Sequence, residues 1–169
     1  DILFLHDCSP EHALDDALLQ WLEGVVREGK ARAWGIATQP EWIGPLMAAF
    51  PVQPHVVQHE SNAFRPPPAE PGIPRILHSP FGGAGGNYHV DIARALAKTA
   101  IKASMSECSR LLLESALLLA GRAPILCSMY DTHHIAANID ALAHPRYAEH
   151  ELRTFINAIA SSLTQRQAA

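Results

Sequence analysis

The sequence predicts an α/β fold: parallel strands, with helices packed outside them. Three observations carry this expectation. Short apolar runs without polar alternation, the mark of strands buried on both faces, recur along the chain. Between most of them lie segments of helical period, and right-handed crossovers then make the strands parallel. Polar residues gather at the C-terminal ends of these strands (His6, Thr38, Gln58, His59, His78 and Ser79), where parallel α/β folds hold their functional groups.

Residues 2–5 form the first strand, which ends in His6. A helix of about four turns follows, with Ser9 as N-cap, Pro10 at its first position, and Leu14, Leu18, Trp21, Leu22, Val25 and Val26 on its apolar face. Gly29 ends it. Residues 33–37 are the next strand and 41–49 a helix. Residues 55–58, with the β-branched pair Val56 and Val57, are the third strand.

The proline-rich residues 66–74 cannot be helical, because proline lacks an N–H and pushes its predecessor out of the helical region. Residues 75–78 are the fourth strand, followed by a flexible run with glycines at 82, 83, 85 and 86. Residues 106–120 form a helix with Leu111, Leu112, Ser115, Leu118 and Leu119 on one face. Residues 125–127 are a fifth strand, and 132–142 and 147–163 are two closing helices. Five parallel strands do not close a cylinder. On element count alone, an open arc of barrel staves and a flat sheet with helices on both faces are equally allowed.

At 169 residues the chain is read as one domain, able to bury a core without disulfides or metals. Its 48% hydrophobic and 18% charged residues are those of an ordinary globular protein. The 13 basic residues are scattered and outnumbered by 17 acidic ones, which argues against a nucleic-acid partner. Cys8, Cys108 and Cys127 have no metal-type spacing and make no disulfide framework, so a reducing cytoplasm is the expected location. The longest apolar stretch is broken by Glu114, Gly121, Arg122 and Pro124, so no membrane span is expected, and no signal peptide is read. The chain opens on Asp1 directly inside a strand, without Met, and reads as a truncated gene product.

Five segments carry a resemblance, in order and over nearly the whole chain. They are Asp1-Ile2-Leu3-Phe4-Leu5-His6; Gly29-Lys30-Ala31-Arg32-Ala33-Trp34-Gly35-Ile36; Val56-Val57-Gln58-His59-Glu60-Ser61-Asn62; His78-Ser79-Pro80-Phe81-Gly82; and residues 125–142. Together they resemble strands four to eight of the aldo-keto reductases. The resemblance implies a partial (β/α)8 TIM barrel with flanking helices and a C-terminal helix. It also implies an NAD(P)(H)-dependent oxidoreductase that reduces aldehyde or ketone carbonyls to alcohols.

By this resemblance His6 is the catalytic histidine that orients the substrate oxygen, and Gln58 bonds the nicotinamide carboxamide. His78 takes the place of the aromatic ring that stacks on nicotinamide. Ser79, Phe81, Gly82 and Gly83 belong to the turn meeting the pyrophosphate, and Asn138 matches the adenine-contacting asparagine. If His6 and Gln58 face the barrel interior, period-two alternation sends Phe4 and Val56 inward and Leu5 and Val57 outward.

The sequence departs from the family at several points. The Tyr, Lys and Asp of the catalytic tetrad belong to earlier barrel segments, and Tyr88, Tyr130 and Tyr147 fall in no matching motif. Without a general acid, worth ~10²–10⁴-fold, the chain alone is expected to be inactive. Ala37 and Thr38 replace a Ser-Asn pair, so Thr38 is left to donate one hydrogen bond to the cofactor. Ser128, Met129, Tyr130 and His134 stand where Lys or Arg commonly hold the 2′-phosphate, so NADP and NAD both remain open as cofactor.

Other readings compete. His6, His59 and His78 all end strands, as zinc ligands of barrel hydrolases do, but if Gln58 points inward His59 cannot. The pair His133-His134 reads as a solvated helix start, and Cys8 as an unreactive thiol. A non-catalytic remnant that binds a nucleotide or a partner chain is the remaining alternative. Exposed strand edges predict self-association, and a complementing N-terminal barrel segment is the other expected partner.

Overall fold

The computed structural model describes residues 1–68, 72–82, 88–104 and 107–167. They group into two compact units. One comprises Asp1–Glu60 and Pro67–His78, the other Ser61–Pro66 and Ser79–Ala169.

The first unit contains β1 (Ile2–His6), a 3-10 turn (His12–Leu14), α1 (Asp16–Arg27), β2 (Ala33–Ala37), α2 (Pro40–Ala49), β3 (Val56–Glu60) and β4 (Arg75–His78). Each strand pairs in parallel with the next in sequence, and the register aligns His6 with Ala37, Ala37 with Gln58, and Gln58 with Ile76. Side chains alternate strictly. Leu3, Leu5, Trp34, Ile36 and Val57 pack with Leu19 and Leu22 of α1 and with Ile43 and Leu46 of α2 in one core. Trp34 is its centre, fully buried against Phe50 at 5.8 Å between rings, with its indole N–H given to Glu23. Both helices thus lie on one face of a sheet whose order follows the sequence. A doubly wound open sheet would reverse its order and carry helices on both faces, so this unit is built as consecutive barrel staves.

The opposite face carries Phe4, Gly35 and Val56 in one aligned row. A methyl group on Gly35 would lie 2.5 Å from Val56 and 3.0 Å from the Phe4 ring, so glycine is what lets these side chains close over β2. The predicted inward direction of Phe4 and Val56, and outward direction of Leu5 and Val57, is what the strands adopt.

Several boundaries differ from the sequence expectation. The helix starts at Asp16, capped by Asp15, whose carboxylate accepts the Leu18 N–H at 3.0 Å; Ser9 is not its cap. Ser9 instead engages the His12 ring through its N–H at 3.0 Å and starts the 3-10 turn. The buried face of α1 is set by Leu19 and Leu22, leaving Trp21 57% exposed and Leu14 outside the α-helix. Gly29 does end the helix, with φ of 70°. β3 runs two residues beyond its predicted end, because Glu60 pairs with His78.

The second unit contains α3 (Tyr88–Ala97), α4 (Cys108–Ala120), the two-residue β5 (Ile125–Leu126), α5 (Thr132–Ala143) and α6 (Glu149–Gln167). Its core joins Ile92 and Ala95 of α3, Leu111 and Leu112 of α4, and Leu152, Phe155 and Ile159 of α6. Helix α3 was not foreseen: its buried positions Asp91, Ile92 and Ala95 form a narrow stripe directly after a glycine run. Helix α4 is buried nearly all round, Leu113, Glu114 and Ala116 included, so a single apolar face was too narrow an expectation. The predicted start of α4 at Ser106 lies outside the described residues, and α6 begins two positions after its predicted start. Among the described residues no helix is long and apolar enough to cross a membrane.

Candidate functional site

In the first unit, the face away from the helices ends in a ledge of polar side chains. His6 has the same parity as Phe4, opposite to core residues Leu3 and Leu5, and its side chain is 79% exposed. Directly after it the backbone turns through Asp7, at φ of 50°, a left-handed conformation that carboxylate side chains tolerate better than most. This brings the Asp7 carboxylate 3.2 Å from His6 Nδ1.

Gln58 lies in the same row and is half-buried. Its backbone C=O accepts the Thr38 N–H at 3.0 Å, but its side-chain amide has no hydrogen-bond partner among the described residues. An amide so placed has an oxygen and an N–H left for another molecule.

One step further along, Glu60 and His78 are register partners, both half-buried and on the same face as Gln58 and His6. Burial pulls the His78 imidazole below its ordinary pKa, while the Glu60 carboxylate opposes that shift and His6 adds to it. Glu60 was not among the residues singled out from sequence. Its signal was available, since positions 58 and 60 of a strand share a face.

His59 has the opposite parity. It is buried on the helix side, aligned with Leu77, and its Nδ1 lies 2.8 Å from the Glu60 carbonyl. Burial lowers its pKa first of all. The three strand-end histidines therefore do not converge, and among the described residues no three His, Cys, Asp or Glu side chains form a metal-holding group.

Thr38 is buried, and its hydroxyl donates to the Cys8 carbonyl at 2.8 Å. Its single proton is thus spent inside the fold, and the hydrogen bond expected from it to a cofactor is corrected to acceptance alone.

In the second unit, Ser79 (φ 57°) and Gly82 (φ 93°) form a tight turn closed by the Gly82 N–H to the Ser79 carbonyl at 3.1 Å. Asn62, fully buried, holds this turn by donating its side-chain N–H to the same carbonyl at 2.9 Å. Its side-chain oxygen accepts from the N–H groups of Phe64 and Arg65. Tyr88 covers Gly82 and stacks on Phe64 at 4.2 Å, while Phe81 packs against the unit's core. Asn62 was missed as a positioning residue, although an Asn whose side chain bonds the backbone two residues on is a recognisable turn signal. Gly83, Gly85 and Gly86 lie outside the described residues.

Ser128 and Met129 are exposed in the segment after β5. Asp131 caps α5 by accepting the His133 N–H at 2.7 Å, and His133 and His134 are exposed at the helix start. Asn138 instead lines a cavity of about 240 Å³ between α4 and α5, shared with Arg110, Leu113 and Asp140 and not with Ser128, Met129 or His134.

A dinucleotide cofactor, implied by the fold, can be tested against these groups. The nicotinamide end fits, because the half-buried Gln58 amide has no hydrogen-bond partner among the described residues and lies on the same strand face as His78. A 2′-phosphate does not fit the start of α5, which presents the Asp131 carboxylate and no Lys or Arg.

No protein-family model and no curated protein sequence matches this chain. Solved structures do. An aldo-keto reductase from Bacillus halodurans, in its holo form, superposes with a TM-score of 0.70 at 14% identity, over 94% of this chain and 60% of its own. An aldo/keto reductase from Brucella melitensis gives 0.58 at 16%, covering 96% and 60%, and an aldose reductase from Schistosoma japonicum 0.58 at 13%, covering 93% and 57%. The chain thus spans about three fifths of the length of these structures. With strand order following sequence and helices on one face, it has the fold of the aldo-keto reductases.

Proposed function

We propose that this chain is the cofactor-holding portion of an NAD(P)(H)-dependent aldo-keto reductase acting on a small aldehyde or ketone. The observation that carries the reading is the row at the strand ends, where His6 and Gln58 share the face away from the helices and the Gln58 amide has no partner among the described residues. A reduced nicotinamide, when bound, supplies the hydride for carbonyl reduction.

The chain's own residues would orient and enclose. Gln58 would hold a carboxamide through both its oxygen and its nitrogen, fixing which ring face is presented. His78 would lie against the ring. His6, steadied by Asp7, would orient the carbonyl oxygen. The turn at Ser79, Phe81 and Gly82, held by Asn62, would bring backbone N–H groups toward a diphosphate.

The Asp131 cap favours NADH over NADPH, since a carboxylate repels a 2′-phosphate and can accept from a ribose hydroxyl. Ser128, Met129 and His134 would form the adenosine side of this reading, while Asn138 stands apart from them in the cavity between α4 and α5. Tyr, Lys and Asp of the tetrad are not supplied by any matching motif of this chain, so proton delivery would need a complementing segment. Two features support such a partner: β1 pairs only with β2 among the described residues, and Ile135, Ile139 and Leu142 of α5 are exposed, Ile139 by 61%. In this reading the chain is located in the cytoplasm.

Titration of the chain with NADH and NADPH, followed by nicotinamide fluorescence, tests the proposal. Saturable binding, tighter for NADH and weakened ~10-fold by Gln58→Ala, is expected, a loss of ~1.4 kcal/mol. Binding without turnover even beside a segment supplying Tyr, Lys and Asp would instead favour a non-catalytic nucleotide-binding role. No fluorescence change with either cofactor would refute the reading.

A further inference from the structure

We propose that α5 docks a second copy of this chain, its exposed Ile135, Ile139 and Leu142 packing antiparallel against the same three residues of the other α5. The inference is independent of the cofactor reading and goes beyond it, from what the strand ends bind to what the chain assembles with.

Apart from His133, His134, Asn138 and Asp140, the residues of α5 after Thr132 are alanine, isoleucine or leucine, yet Ala141 alone is buried. A helix this short is marginal in water unless a face of it is packed, so the exposed apolar surface calls for a cover. One flank is accounted for. Ala137, Asn138, Asp140 and Ala141 line the cavity against α4, and Asp140 takes the Arg110 guanidinium at 2.6 Å. The opposite flank holds Ile135, Ile139 and Leu142, exposed by 39%, 61% and 66%. Their spacing, four positions and then three, is that of a seam between two helices.

The chemistry of this flank selects a second copy as the occupant. Ala136 and Ala143, beside the seam, are small and exposed, so each leaves a hole that an Ile or Leu of the other helix can enter. Neither the seam nor these alanines carry charge, so identical helices meet without repulsion and nothing selects an unlike partner. In antiparallel pairing the Asp131 carboxylate at the start of one helix comes to the end where the other carries the exposed His144, and the helix dipoles oppose. Parallel pairing would set Asp131 against Asp131. Two helices of this length, ~18 Å, bury on the order of 1,000 Å² in total along such a seam, the lower bound for a specific interface. The pair is therefore weak and reversible, and because both copies use the same face it closes at the dimer. A segment completing the barrel would meet the same helix face, so the two associations exclude one another.

Sedimentation equilibrium of the chain without cofactor tests the proposal, at loadings from ~1 µM to ~200 µM, with a monomer–dimer equilibrium expected at a dissociation constant on the order of 10 µM. Ile139→Glu and Leu142→Lys each place a charge at a position exposed in the monomer. Each should weaken association at least ~10-fold while circular dichroism and the thermal midpoint stay unchanged. Trp21→Glu removes a comparably exposed apolar side chain, at 57%, from α1 and should leave the dimer intact. A monomer at every loading, growth beyond the dimer, or a dimer indifferent to both α5 substitutions would overturn the inference. A dimer broken by Trp21→Glu instead would place the contact on α1 and overturn it as well. Nicotinamide binding is read in a separate titration, so its failure would refute the proposed function and leave this result standing.

Discussion

The Glu114 carboxylate on α4 accepts the backbone N–H of Tyr147, 33 positions further along the chain, at 3.0 Å. It is 3% exposed, and it also accepts the Arg146 N–H and the Arg110 Nε–H, the latter at 2.8 Å. Arg110 in turn reaches Asp140 of α5 at 2.6 Å. A buried carboxylate is tolerated because every demand on it is met, and it ties α4 to the segment between α5 and α6.

Glu114→Ala should therefore cost about 3 kcal/mol, because it strands two backbone N–H groups and the Arg110 Nε–H. Urea denaturation followed by circular dichroism measures this; a loss below ~1 kcal/mol would show that water takes over the role.

Gly35→Ala places a methyl group 2.5 Å from both the side chain and the backbone oxygen of Val56. The strand pair has to separate to admit it, at a cost of ~1–3 kcal/mol. The same denaturation experiment would reveal it, and an unchanged midpoint would mean that β2 and β3 are less tightly apposed.

Cys8 is 2% exposed, and burial pushes its thiol up to about 11. With so little thiolate near pH 8, alkylation by iodoacetamide should run at least ~100-fold slower than for a free thiol. Mass spectrometry should find Cys127, which is only half-buried, modified first. Early labelling of Cys8 would contradict its burial.

His59 has a folded pKa lowered from 6.5, chiefly by burial, and His78 is lowered for the same leading reason. Between the folded and unfolded values the unfolded chain binds the extra proton. Stability should thus be full above about pH 7, decline as pH falls through 6.5, and level off below the folded values, with a slope of at most ~1.4 kcal/mol per pH unit for each proton. His59→Asn, which keeps a donor for the Glu60 carbonyl, should make the decline shallower in denaturation series at pH 5 and 7.5.

The element order was legible in sequence wherever burial imposed a simple period. The strands at 33–37 and 75–78 were predicted at their observed bounds; the first is an unbroken apolar run, as strands packed beneath helices show, and the second has the apolar pair Ile76 and Leu77 at its centre. Helix α3 escaped because its buried stripe includes Asp91, which a polarity pattern counts as surface. The cap of α1 was misplaced because Ser9 and Asp15 are equally good capping residues; the Ser9 contact with His12 decided between them.

What the sequence by itself determined is the alternation that puts His6 and Gln58 on one side of the strands and His59 on the other, since a period of two leaves no freedom once one residue is assigned. Only the tertiary structure decided the pairing of Glu60 with His78, the commitment of the Thr38 hydroxyl to Cys8 and the turn of Asn138 toward α4. Register and hydrogen-bond partners depend on where distant segments come to rest, and local periodicity carries no record of that.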